Sequence, residues 1–206
     1  MCSSDLKVYA DALVGYAYSY NQMWRNIPIP GLQQRTAQGQ TGANQFYGQV
    51  ETGYRVDIGG AADAFVTPFA RLQAYTANQN GFTETGAQSL NLSVAQQTIN
   101  SLRSVLGARL GGALDLGWRE KLALQFRLGW SHAYADTGRP VTAAFTGAPA
   151  LLFTTYGVAP QRDGAVVGFS ANTAVAEAVS LYLRYEGDIS GQDSAHAITA
   201  GVRMTW

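Results

Sequence analysis

Few side chains in this chain could carry acid–base or covalent chemistry: two histidines, His132 and His196, and one cysteine, Cys2. A general base needs a nucleophile within hydrogen-bond reach. Ser131 precedes His132 directly, and adjacent residues of a strand point to opposite faces, so these two form no dyad within one strand. His196 has no identified partner and reads as an interfacial residue. Gly107-Ala-Arg-Leu-Gly-Gly112 lies inside an alternating stretch rather than ahead of a helix, so it makes no phosphate loop. Asn91-Leu-Ser93 is a glycosylation sequon by pattern alone. One thiol supplies neither an intrachain disulfide nor a metal cluster. What remains is a recurring set of charges: Glu51, Arg55, Arg71, Arg103, Arg109, Arg127, Arg184, Glu186 and Arg203. Their chemistry is electrostatic, since a charged side chain needs water or an opposite charge as its partner. No enzyme activity and no cofactor are expected.

Those charges sit on strands. Eight stretches alternate, each about 10 to 15 residues long, against ~5–6 for a globular strand and ~9–11 for a strand crossing a bilayer at a tilt. Lys121–Tyr134 is the clearest. Leu122, Leu124, Phe126, Leu128, Trp130, His132 and Tyr134 share one face, and Gln125, Arg127 and Ser131 the other. Ser180–Ile189 sets Leu181, Leu183 and Tyr185 against Tyr182, Arg184, Glu186 and Asp188. Gln45–Ile58 sets Phe46, Val50 and Tyr54 against Gln49, Glu51, Arg55 and Asp57. Leu102–Leu116 sets Leu106, Leu110 and Leu114 against Arg103 and Arg109. Val8–Tyr20, Ala64–Ala77 and Gly164–Val175 alternate less cleanly; Ala64–Ala77 carries Phe65, Phe69 and Tyr75 on the face of Arg71 and Gln73. The eighth stretch, Ala195–Trp206, ends the chain on an aromatic residue, with Val202, Met204 and Trp206 on one face and Arg203 on the other.

Composition agrees with a wall that is apolar outside and polar inside. The chain has 206 residues, 23 glycines, 11 tyrosines, 4 tryptophans and only 14% charged residues. Its net charge is zero, which removes the electrostatic case for nucleic acid. No apolar run approaches the ~18 residues of a transmembrane helix, and strands of a barrel escape that test. The connections alternate in length. About 23 residues rich in Gln, Gly, Asn and Pro join the first two stretches, about 20 polar residues start at Asn78, and about 28 start at Ala135. Between them lie short joints at Gly59–Ala62, Trp118–Glu120 and Ala176–Ala178, and Ser190–Ser194 is a short link on the long side. Short turns on one rim and long loops on the other mark an outer-membrane barrel. A soluble sandwich or lipocalin-like barrel uses the same alternation with its faces reversed; strand length and loop arrangement favour the membrane reading. Trp118, Trp130 and Tyr134 are expected in aromatic girdles.

Seven pieces, in order along the chain, resemble the translocator (β) domain of autotransporters, the type V secretion system. They are Gln49-Val-Glu-Thr-Gly-Tyr-Arg55, Thr67-Pro-Phe-Ala-Arg-Leu-Gln-Ala-Tyr75, Gly81-Phe-Thr-Glu-Thr-Gly86 and Ser101-Leu-Arg-Ser-Val-Leu-Gly107. Ala144-Phe-Thr-Gly-Ala-Pro149, Phe153-Thr-Thr-Tyr-Gly-Val-Ala-Pro-Gln-Arg-Asp-Gly164 and Leu183-Arg-Tyr-Glu-Gly-Asp-Ile-Ser-Gly-Gln-Asp-Ser-Ala-His196 complete them. The resemblance implies an all-β, antiparallel transmembrane barrel in the bacterial outer membrane, with about eight of an expected twelve strands present. It implies a barrel inserted by the outer-membrane assembly machinery, embedded in lipid, exporting its own N-terminal passenger and holding a linker helix in its lumen. On this reading the nine charged residues face the lumen, and Val202, Met204 and Trp206 form a C-terminal assembly signal. Residues 1–6 read as a foreign leader and 7–206 as the C-terminal part of the barrel. A self-contained small barrel serving as adhesin or anchor is the alternative.

Overall fold

The computed structural model describes residues 7–31, 33–60, 62–117, 121–135, 138–159 and 161–205. The hexapeptide 1–6, Trp206 and the joint Trp118–Glu120 therefore lie outside the described residues. The fold is all-β. Its main sheet contains β1 (Val8–Ile27), β2 (Arg35–Tyr54), β3 (Val56–Gly59), β4 (Ala64–Gln79), β7 (Gln97–Leu114), β8 (Leu122–Ala133), β11 (Asp163–Ala176), β12 (Val179–Ser190) and β13 (Ser194–Met204). Hydrogen-bonded neighbours follow chain order as an antiparallel meander, β1-β2-β4-β7-β8-β11-β12-β13, with β3 paired to β4. Among the described residues β1 and β13 share no ladder, so the sheet is open.

The sheet curls. Arg127 on β8 hydrogen-bonds Glu51 on β2, three strands away, and Arg103 on β7 bonds Asp188 on β12, also three away. A flat sheet would separate such strands by about 14 Å. These contacts close only if the face they share is concave. Register then assigns every side chain: Asp11, Glu51, Arg71, Val105 and Ser131 form one aligned row on that face. The opposite, convex face exposes large apolar residues along every long strand, among them Val14 at 85%, Ile198 at 74% and Leu128 at 65%. A soluble barrel would have these faces exchanged.

Curling crowds the concave side, and glycine relieves the crowding. Phe69 lies opposite Gly107, and a Cβ on Gly107 would come 2.3 Å from the Leu128 carbonyl oxygen and 2.9 Å from the Phe69 ring. Phe65 covers Gly111 in the same way. The aromatics that make Ala64–Ala77 alternate poorly are thus inward residues laid over glycines, not wall residues out of phase. The Gly59–Gly60 turn between β3 and β4 needs positive φ at both residues, +77° and +92°, which explains its composition.

The first two strands depart from expectation. The stretch expected as a loop of about 23 residues is mostly ladder: β1 runs on to Ile27 and β2 starts at Arg35. The two later long connections likewise hold β5 (Phe82–Thr83), β6 (Leu92–Val94), β9 (Pro140–Phe145) and β10 (Leu152–Tyr156), joined as a second sheet in the order β10-β9-β6-β5. The physical reason is that hydropathy alternates only where one face of the sheet is apolar, whereas backbone pairing runs on wherever two strands lie side by side. The extension is fastened to the wall. Gln38 and Thr85 exchange two backbone hydrogen bonds of 2.8 Å, and Arg25 pairs with Glu84 at 2.5 Å. At β12 and β13, 12 and 11 residues long, the rim stays low, joined by the short link at Gly191. β1 and β2, at 20 residues each, rise well above it.

Candidate functional site

The concave face carries the candidate site, and its centre is Glu51. Strand β2 turns this side chain inward, where its carboxylate is only 4% exposed. It accepts the Tyr9 hydroxyl at 2.8 Å, Arg71 Nε at 2.6 Å, Arg127 Nη2 at 3.3 Å and Arg109 Nη2. Four strands besides its own thus converge on one carboxylate: β1, β4, β7 and β8. Two of the guanidiniums also rest on an aromatic floor, with Arg109 5.0 Å and Arg127 4.6 Å from the centre of the Phe69 ring. Arg109 Nη1 donates to Tyr9 at 2.9 Å. A buried carboxylate is tolerated here because every acceptor direction is filled by a donor, three of them charged.

Other charges on this face are looser. Arg103 and Asp188 form an ion pair of 2.5 Å. Arg184, Glu186 and Arg203 are exposed, and none of the three has an ion pair with a described residue. Arg55 sits at the break between β2 and β3, stacked 3.7 Å over the Phe65 ring and bonded to Asp57 at 2.7 Å. Of the nine charges singled out from sequence, the structure therefore brings four together at Glu51, puts Arg55 at the rim and leaves the rest spread along the curl. Tyr9 and Phe69, which complete the Glu51 cluster, were not singled out; the aromatic-opposite-glycine pattern is the signal that marks Phe69.

On the convex face Trp130 and Tyr134 form a ladder with His132 between them, the His132 ring 5.5 Å from Trp130 and 4.8 Å from Tyr134. Ser104, His132 and Asp163 are aligned across three adjacent strands. His132 Nδ1 lies 2.8 Å from Asp163, but the Ser104 hydroxyl meets Tyr134 at 3.0 Å and makes no hydrogen bond with His132. Ser131 is turned to the other face and is 2% exposed. His196 meets the Tyr185 hydroxyl at 2.9 Å. Val202 and Met204 point outward from β13, while Trp118 and Trp206 fall outside the described residues.

A curled antiparallel sheet with arginines and glutamates inside and leucine, valine and phenylalanine outside defines a wall of the outer-membrane barrel class. The autotransporter β-domain family model matches residues 3–186, which span β1 to most of β12, and the chain belongs to that family. Comparison with curated proteins found no match. The family is that of type V secretion, whose β-domains are translocator barrels of the bacterial outer membrane.

Proposed function

We propose that residues 7–206 act as an outer-membrane anchor, crossing the membrane with several strands and supporting export of a passenger carried N-terminally on the same polypeptide. The inversion of faces carries this reading: apolar side chains that water would reject are turned out, and charges that lipid would reject are turned in. Glu51, Arg55, Arg71, Arg103, Arg109, Arg127, Arg184, Glu186 and Arg203 line the lumen, hydrate it and hold a linker helix. Trp118, Trp130 and Tyr134 anchor the interfaces, and Val202, Met204 and Trp206 form the signal read by the assembly machinery. The wall neither binds nucleic acid nor carries out catalysis.

The test is an epitope placed ahead of Lys7 in the full chain, expressed in a Gram-negative host. The expected result is a heat-modifiable outer-membrane protein whose epitope is reached by antibody on intact cells. An inserted protein whose epitope is reached only after permeabilisation overturns export and leaves anchoring standing. Recovery in the soluble fraction overturns both.

A further inference from the structure

The concave face holds far more hydrogen-bond donors than acceptors. Each guanidinium offers five N–H donors and no acceptor, and a carboxylate accepts at about four lone-pair sites. Glu51 is already saturated by Tyr9, Arg71, Arg109 and Arg127. Arg127 Nε is buried and has no hydrogen-bond partner among the described residues. Beside this cluster lies a polar cavity of about 280 Å³, lined by Arg71, Arg109, Arg127, Arg184, Ser170 and Glu186. Gly168 forms part of its floor, opposite both Arg127 and Glu186, and a Cβ there would come 3.2 Å from the Arg127 Cβ. Four cations therefore surround this cavity against two carboxylates, Glu51 and Glu186, one of which has no acceptor site left.

We infer that this cavity is an oxyanion-binding site, taking a phosphate or carboxylate group between Arg127 and Arg184. A planar guanidinium matches either group bidentately, and a wall of arginines selects anions over cations. The oxyanion has two sources: a free inorganic anion in the lumen water, or an acidic side chain of a polypeptide lying along the concave face. Ser170 stands directly opposite Arg184 in register, so it is the position from which a side chain of the protein itself would fill the site.

The experiment follows the urea midpoint of the full chain refolded in detergent micelles, in sodium phosphate or a deca-glutamate peptide, each against sodium chloride at matched ionic strength. The expected result is a concentration-dependent rise of the midpoint beyond that in chloride. Arg184→Gln should weaken the response about tenfold, the order lost with one charge-assisted hydrogen bond. Arg184 has no ion pair with a described residue to lose, so this variant is expected to fold. Ser170→Glu tests the same site in the opposite sense: its carboxylate should pair with Arg184 and abolish the response. Lys121→Gln, just ahead of β8 and paired with Asp63 rather than lining the cavity, should leave the response unchanged. Phosphate acting alone identifies a free oxyanion; deca-glutamate acting at a tenth or less of the phosphate concentration identifies side-chain carboxylates. Equal midpoints in phosphate, peptide and chloride, or an unchanged response in Arg184→Gln and Ser170→Glu, overturns the site.

Discussion

Glu51→Gln removes the one negative charge, among the described residues, to which Arg71, Arg109 and Arg127 are bonded, while keeping the side chain's shape. Charges about 4 Å apart attract by about 4 kcal/mol at an effective dielectric near 20, so three such pairs make a large gross term. Most of it is not lost. The three arginines are 19%, 20% and 13% exposed and can turn toward water, and the glutamine oxygen still accepts one or two donors. What remains is the penalty of breaking a buried ion pair, about 3–5 kcal/mol, and the accessible arginines put this case at the lower end, about 3 kcal/mol. Urea unfolding of the full chain in micelles, followed by tryptophan fluorescence, measures it. Two further results belong to the same cause. Raising salt from about 0.05 to about 0.5 M should narrow the deficit, because repulsion among the freed guanidiniums is screened. The double variant Glu51→Gln/Arg127→Gln should be more stable than the sum of its single changes by at least about 1 kcal/mol. A Glu51→Gln protein within about 0.5 kcal/mol of wild type, or a strictly additive double variant, refutes the claim that this carboxylate ties five strands together.

Gly107→Val should destabilise the sheet by about 1–3 kcal/mol in the same unfolding assay, because its new side chain meets the Leu128 carbonyl and the Phe69 ring. Leu128→Arg, on the convex face of β8, should cost about 2–4 kcal/mol in liposome refolding if that face lies near the membrane midplane, and an Arg tolerated there at no cost would argue against lipid contact. Trp206→Ser should lower the outer-membrane yield of the full chain without changing its synthesis, read by fractionation; an unchanged yield removes the assembly-signal role. Acid should loosen the β1–β2 extension. Burial alone would raise the Glu84 carboxyl, but the Arg25 hydrogen bond, the Leu92 N–H and the Arg25 charge outweigh it and hold it below the usual glutamate range. The clamp's stability is therefore complete above the unfolded value near ~4.3 and is lost as pH falls through the lower folded value. Hydrogen exchange at Ala87–Leu92 should accelerate over that window in the native protein and stay flat in Glu84→Gln.

Which face each residue takes was legible in the sequence wherever one face of the sheet is apolar. From Leu122 to Tyr134 the alternation assigns every side chain as the register does, since a one-residue slip would turn Arg127 onto the apolar face. Along the extension both faces mix polar and apolar side chains, and Asn21–Ile27 and Arg35–Asn44 carry no alternation to read, though the ladder continues through them. Within the candidate site the sequence separated the charges by face but not by partner. Arg103 and Asp188 lie 85 residues apart, and only the curl of the sheet makes them neighbours. Phe69 looked like a fault in the pattern until the glycine opposite it was known.

The uneven height of the rim gives the mouth a direction. Strands β1 and β2 outlast β12 and β13 by eight or nine residues, roughly 20 Å of standing wall once strand tilt is allowed for. In the proposed orientation, with the long loops outside, bulky molecules such as antibodies or phage tails would meet the tall side first, and at the low side the bilayer surface would be within reach. Under the export proposed above, a chain threading outward would be shielded along the β1–β2 flank and free along the other, leaving as from a spout that leans over β12 and β13.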